Sequence, residues 1–127
     1  MDHQCVVVIE PDVLVRHPLA EYLRECGYQV IEALNAAEAR HLILDGRITI
    51  DVVMANVGAP VDEGFALAAW VRQNYPSVGV VLAGSVERAA EKAGDLCLEG
   101  PRPGKPYHHG RIVDEIRRLR ATRDGAG

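Results

Sequence analysis

The sequence has no long apolar run. Its longest is Phe65 to Val71, seven residues, against the roughly 18 that a membrane-spanning helix needs. No basic start leads into an apolar stretch with a small-residue cleavage site, the pattern of a secretory leader. The protein is therefore expected to be cytoplasmic, with no membrane partner. The three cysteines, Cys5, Cys26 and Cys97, form no C-x-x-C pair and leave one odd. They are expected to stay as reduced, mostly buried thiols that fill space. Positive charge is not in excess either: the net charge is −4 and the pI about 5.7, which argues against a nucleic-acid surface spread over the domain.

No internal repeat, low-complexity tract or linker divides the 127 residues, so one domain over 1–127 is expected. Its core should cover about 4–122, followed by a short flexible C-terminal tail. With 48% hydrophobic residues there is enough apolar material to fill that core.

What the chain does contain is an alternation of two patterns. Cys5-Val-Val-Val-Ile9 is a β-branched run suited to a strand buried on both faces. Val15, Leu19, Leu23 and Cys26 then recur at helical spacing, with Gly27 as a stop. Tyr28 to Ala33 reads as a second strand, and Asn35 with Glu38 as a capping box opening a helix to Asp45-Gly46. Ile50 to Ala55 is a third strand, with a helix from Phe65 to Asn74 closed by Pro76. Val78 to Ala83 is a fourth, after which Ser85 caps a helix to about Leu98. A fifth strand belongs at 100–104, where Gly-Pro-Arg-Pro-Gly fits only an edge or an irregular segment. Ile112, Val113, Ile116 and Leu119 stripe a last helix, whose Arg117, Arg118, Arg120 and Arg123 suit its C-terminal end.

Five β-α units of this kind predict an α/β fold: a doubly wound, parallel, five-stranded sheet with helices on both faces, a three-layer (βα)5 sandwich. Any site should lie at the carboxyl ends of the strands. Those ends are Glu10-Pro-Asp12, Asn56-Val-Gly, Gly84-Ser85 and Lys105-Pro106. The first turn is acidic and lacks Gly, Ser and Thr, so it cannot cradle a phosphate as a nucleotide fold does. Ser85 sits in L-A-G-S-V rather than a G-x-S-x-G elbow, which argues against a hydrolase. His108 and His109 are adjacent, so their side chains are expected to point apart rather than share a metal.

The remaining order of residues resembles the receiver domain of two-component response regulators. The matching stretches are V-V-V-I-E-P-D-V-L-V-R at 6–16, L-R-E-C-G-Y at 23–28, D-V-V-M-A-N at 51–56, G-A-P-V-D-E-G-F at 58–65 and K-P-Y at 105–107. The resemblance implies the flavodoxin-like receiver topology. It also implies a magnesium site made by two acids after the first strand and an aspartate ending the third. That aspartate would accept a phosphoryl group from a histidine kinase, helped by a Thr or Ser after the fourth strand and a lysine after the fifth.

Carried over position by position, Glu10 matches the first acid and Lys105 the lysine. Pro11 stands at the second acid, Asn56 at the phosphoacceptor and Gly84 at the Thr/Ser position, with Arg102 where an aromatic switch residue is common. A neutral carboxamide is a poor nucleophile toward phosphorus. Magnesium wants oxygen ligands that usually include one or two carboxylates, and Glu10 and Lys105 alone cancel in charge. The expectation is a stand-alone, atypical receiver that is not an enzyme and needs no cofactor. It would act by protein contact with a histidine kinase, a phosphotransfer protein or another receiver, with room for a weak homodimer. Glu10 and Lys105 would pair directly and lock the domain in one state.

By the same resemblance, the contact surface would be 86–120, with Arg102, Tyr107, Arg111 and Glu115 on it. Two alternatives stay open. In one, a displaced acid, Asp12 or Asp62, takes the phosphoryl group with magnesium, although Asp12 also suits the N-cap of the first helix. In the other, the vacated pocket binds a small molecule.

Overall fold

The computed structural model describes residues 4–56, 61–101 and 108–126. The chain runs β1 (Cys5–Ile9), α1 (Val13–Glu25), β2 (Gln29–Ala33), α2 (Ala36–Asp45), β3 (Val52–Asn56), α3 (Val61–Asn74), β4 (Gly79–Ala83), α4 (Val86–Glu99) and α5 (Gly110–Ala121). The four described strands are parallel in the order β2-β1-β3-β4. That order reverses direction after β1, as a doubly wound sheet requires. The fifth strand expected at 100–104 falls mostly on residues outside those described.

β1 is buried along its whole length, which is why it can be β-branched throughout instead of alternating with polar residues. Val6 and Val8 face one core with Leu19, Leu23, Ala93, Ile112 and Ile116. Cys5, Val7 and Ile9 face the other with Ala39, Ile43, Leu67 and Val71. The first core lies under α1, α4 and α5, and the second under α2 and α3. These are the two outer layers of the sandwich.

Helix ends follow the sequence chemistry. Asn35 Oδ1 accepts from the Glu38 N–H at 2.9 Å while the Glu38 carboxylate accepts from the Leu34 N–H at 2.9 Å, a capping box shifted by one residue at its return bond. Ser85 caps α4 through the Arg88 N–H, and Gly46 ends α2 at φ 72°. One boundary differs. The helix expected from Phe65 begins at Val61, before Gly64, so Phe65 lies inside α3 and is 56% exposed. Past α5, Thr122–Ala126 continue in a wider turn broken at Gly125, φ 85°.

Candidate functional site at the carboxyl ends of β1 and β3

Glu10 follows β1 directly and is 7% exposed, the only buried charged side chain among the described residues. Its backbone continues the strand ladder, the N–H donating to Ala33 O at 3.1 Å. The Arg16 guanidinium donates to its carbonyl at 2.9 Å. Both carboxylate oxygens are engaged: Oε1 accepts from Asn56 Nδ2 and Oε2 from the Asp12 backbone N–H, each at 2.5 Å. A buried carboxylate is tolerable only with such donors.

Asn56 is the last residue of β3, in register with Ala83 at the end of β4. Its Oδ1 is buried with no hydrogen-bond partner among the described residues. Gly84, next along the sheet edge, is exposed, and a Cβ built there meets no described residue within 4 Å. Pro11 is exposed in the turn between Glu10 and α1. Lys105, Arg102 and Tyr107 lie outside the described residues, as does the side chain of Asp62. The pairing expected of Glu10 with Lys105 therefore has only its first partner on view, and that partner is occupied by an amide and a backbone N–H.

Asp12 caps α1, Oδ1 accepting from the Leu14 N–H at 3.0 Å. It is also the anchor of the C-terminal segment: Arg123 donates to Oδ1 at 2.7 Å and Arg120 Nε lies 3.7 Å from Oδ2. Burial works to raise the Asp12 carboxyl, but the Arg123 and Leu14 hydrogen bonds and the two arginine charges outweigh it and hold it below the usual carboxylate value. The segment expected to be a flexible tail thus carries a residue that reaches back to the first turn.

Of the carboxylates described here, Glu10 alone is turned into the site. The set is one carboxylate, already hydrogen-bonded at both oxygens, and one amide oxygen. Among the described residues, magnesium bound at Glu10 would gain no second anion. No group of three or more His, Cys, Asp or Glu side chains suited to a metal occurs among the described residues. His108 and His109 do not point apart as expected; their rings stack at 4.2 Å. On the surface expected to make contacts, Arg111 and Glu115 lie on α5, Arg111 exposed and Glu115 half-buried.

The cysteines depart from expectation. Cys26 and Cys97 form a disulfide with Cα atoms 5.4 Å apart, and Cys5 is the free, buried thiol. Cys26 is the C-cap of α1 and Cys97 lies on the inner stripe of α4, so the fold brings together two residues 71 apart in sequence. An odd cysteine count hides such a pair, and the only signal for it was that both fall on apolar faces of their helices. The Glu10–Asn56 link and the Asp12–Arg123 tie were likewise not anticipated.

The fold defines a class: the architecture is that of the response-regulator receiver domain. No protein-family model matches the chain. In sequence it is similar to the sensor histidine kinase RcsC of Salmonella typhimurium, 30% identical over 106 residues, 79% of this chain and 11% of the kinase. It is also similar to the transcriptional regulatory protein PhoP of Escherichia coli K12, 26% identical over 121 residues, 94% of this chain. The chain thus spans about a tenth of the kinase and about half of the regulator (11% and 53%).

Among solved structures it resembles the chemotaxis response regulator CheY4 of Vibrio cholerae, with 21% identity, TM-score 0.56, and 93% and 99% of the two chains covered. A signal receiver domain of an HD domain-containing protein from Pseudomonas fluorescens Pf-5 matches at 21% identity and TM-score 0.60, over 97% and 99%. So does the co-crystal of the Saccharomyces cerevisiae phosphotransfer protein Ypd1 with the Ssk1 receiver domain, at 19% identity and TM-score 0.55, over 72% and 74%.

Proposed function

We propose that this domain works in two-component signalling as an atypical receiver that acts by protein contact and takes no phosphoryl group at Asn56. The observation that carries the reading is the hydrogen bond from Asn56 Nδ2 to Glu10 Oε1. An aspartate at 56 would repel Glu10 unless a cation sat between them. The amide instead satisfies Glu10 directly, so the strand ends hold together without an ion. Asp12, one of the two candidate displaced acids, is engaged by a helix cap and two arginines, which argues against its serving as the substitute.

Among the described residues no reacting group stands at the strand ends, which favours a binding role with a partner from the same pathway: a histidine kinase, a phosphotransfer protein or another receiver. The Ypd1–Ssk1 co-crystal, a phosphotransfer protein with a receiver of this fold, supports that choice. No helix among the described residues is long and apolar enough to cross a membrane.

The test is incubation with acetyl phosphate and magnesium followed by intact mass measurement. The expected outcome is an unmodified mass, with backbone amide signals of Glu10, Asn56 and the α1 N-terminus unmoved by magnesium. A hydroxylamine-labile phosphoryl adduct overturns the reading.

A further inference from the structure

Helix α4 is held to the molecule by a thin apolar face. Its buried residues are Ala89, Ala90, Ala93, Gly94 and Cys97, none larger than cysteine, with Val86 and Leu96 packed half-buried beside them. The neighbouring helices insert Leu19, Tyr22 and Leu23 from α1 and Ile112 and Ile116 from α5 into the same core. Stabilisation by burial scales with apolar area, so α4 draws little from its own side chains.

Its C-terminal half is gripped by other means. The Tyr28 hydroxyl donates to the Leu96 carbonyl at 2.6 Å. The Tyr28 ring lies so close to Gly100 that a Cβ there would be 2.6 Å from it. Between these contacts and α1 runs the Cys26–Cys97 bond.

We propose that Cys26 and Cys97 form a redox-controlled clamp on α4. Oxidised, the pair fixes the C-terminal half of α4 to the end of α1. Reduced, α4 loosens and the face it shares with α5 changes, because Glu87 pairs with Arg117 at 2.9 Å and the His109 ring packs against Gly94 only while α4 is seated.

The chemistry is thiol–disulfide exchange. A dithiol reductant attacks one sulfur, and its two thiols close to a disulfide as Cys26 and Cys97 each leave with a proton. A small-molecule disulfide reverses the step and is reduced to two thiols. Both sulfurs belong to residues at most 2% exposed, so exchange waits on fraying of the last turn of α4. That turn ends on a long bond, Gly100 N–H to Cys97 O at 3.4 Å, beside Leu98, which is 66% exposed. Cys5 takes no part: burial, reinforced by the Asp51 charge, pushes its thiol up and keeps it protonated. The inference is independent of whether Asn56 can be phosphorylated.

The test uses the full chain equilibrated with glutathione disulfide or with dithiothreitol. N-ethylmaleimide in denaturant should label one of the three cysteines in the oxidised protein and all of them in the reduced one. Hydrogen exchange over 86–99 should quicken on reduction about tenfold more than exchange in β1 and β3, which report the global loss of stability alone. The double variant C26S/C97S should show the fast pattern under both conditions, and if it does not fold, the reduced wild-type protein supplies the measurement. Full labelling after glutathione disulfide overturns the proposal. So does equal α4 exchange in the two states, or a rise that is as large in β1 and β3, which would make the bond a general staple.

Discussion

The Asn56 side-chain amide holds Glu10 through one hydrogen bond. In Asn56→Asp, a second carboxylate would face Glu10 across the 2.5 Å now bridged by the amide. One of the two must take a proton, so the shared carboxyl has a higher affinity for protons in the folded state than in the unfolded one. A folded state that binds more protons loses stability as pH rises. Urea unfolding of Asn56→Asp should therefore show a loss of about 1–3 kcal/mol at neutral pH, shrinking as pH falls through the carboxylate range.

The same variant should gain little phosphorylation, because Pro11 supplies no ligand and its ring fixes the turn. Pro11→Asp with Asn56→Asp should carry markedly more phosphoryl group by intact mass than either single change. Equal labelling of the Asn56→Asp protein alone would sink that ordering. The departures at 11, 56 and 84 could be read by position in the sequence. The bonds that Glu10 makes could not, because an amide–carboxylate link depends on where two strand ends meet.

Between elements, the junction of α1 and β2 is organised by one carboxylate. Glu32 accepts from Arg16 at 3.1 Å and from Arg24 at 3.2 Å, and lies 3.0 Å from His17 Nδ1. Burial works to raise Glu32, but these three partners outweigh it and hold it below its ordinary value. Asp12 is held down in the same direction, at the other end of α1. A depressed carboxyl contributes stability that is complete above its unfolded pKa and is lost as pH falls through the lower folded value. The acid unfolding limb should thus move to higher pH in Glu32→Gln, and the double variant with Asp12→Asn should move it further.

On the opposite side, α4 depends on glycine. A Cβ at Gly94 would lie 2.9 Å from His109 Nδ1, and one at Gly100 would meet the Tyr28 ring. Gly94→Ala can be absorbed by shifting the half-buried His109 ring, whereas Gly100→Ala presses on a tyrosine that is 5% exposed and tied to Leu96 O. Gly100→Ala should be the costlier change, on the order of 1–3 kcal/mol by urea unfolding, and α4 amides should lose protection first. The periodicity of apolar residues made each helix legible, including the capping residues Asp12, Asn35 and Ser85. It said nothing of which small residues serve close approach, because Ala and Gly carry no pattern of their own.

Over the whole molecule, two cores on either side of one sheet are stitched by contacts far apart in sequence. The alternation of strand and helix made the layers expected, whereas the topology, seen as the β2-β1-β3-β4 order, was implied by the receiver resemblance. The cysteine pairing escaped that reasoning because it joins the end of α1 to α4, a contact fixed by how those two helices pack on the first core and by nothing local to either.

Its energetic weight follows from its span. Closing a loop between residues 71 apart removes unfolded-chain entropy amounting to about 4 kcal/mol in the chain-entropy model. That is a large part of the roughly 5–15 kcal/mol that holds a domain together. Reduction should therefore lower the melting temperature by on the order of 10 °C, and Cys26→Ser with Cys97→Ser should reproduce the drop without reductant. Cys5→Ser should leave the response to reductant unchanged, since Cys5 lies in the other core. A wild-type melting temperature that is the same with and without reductant would mean that packing alone holds α1 and α4 together.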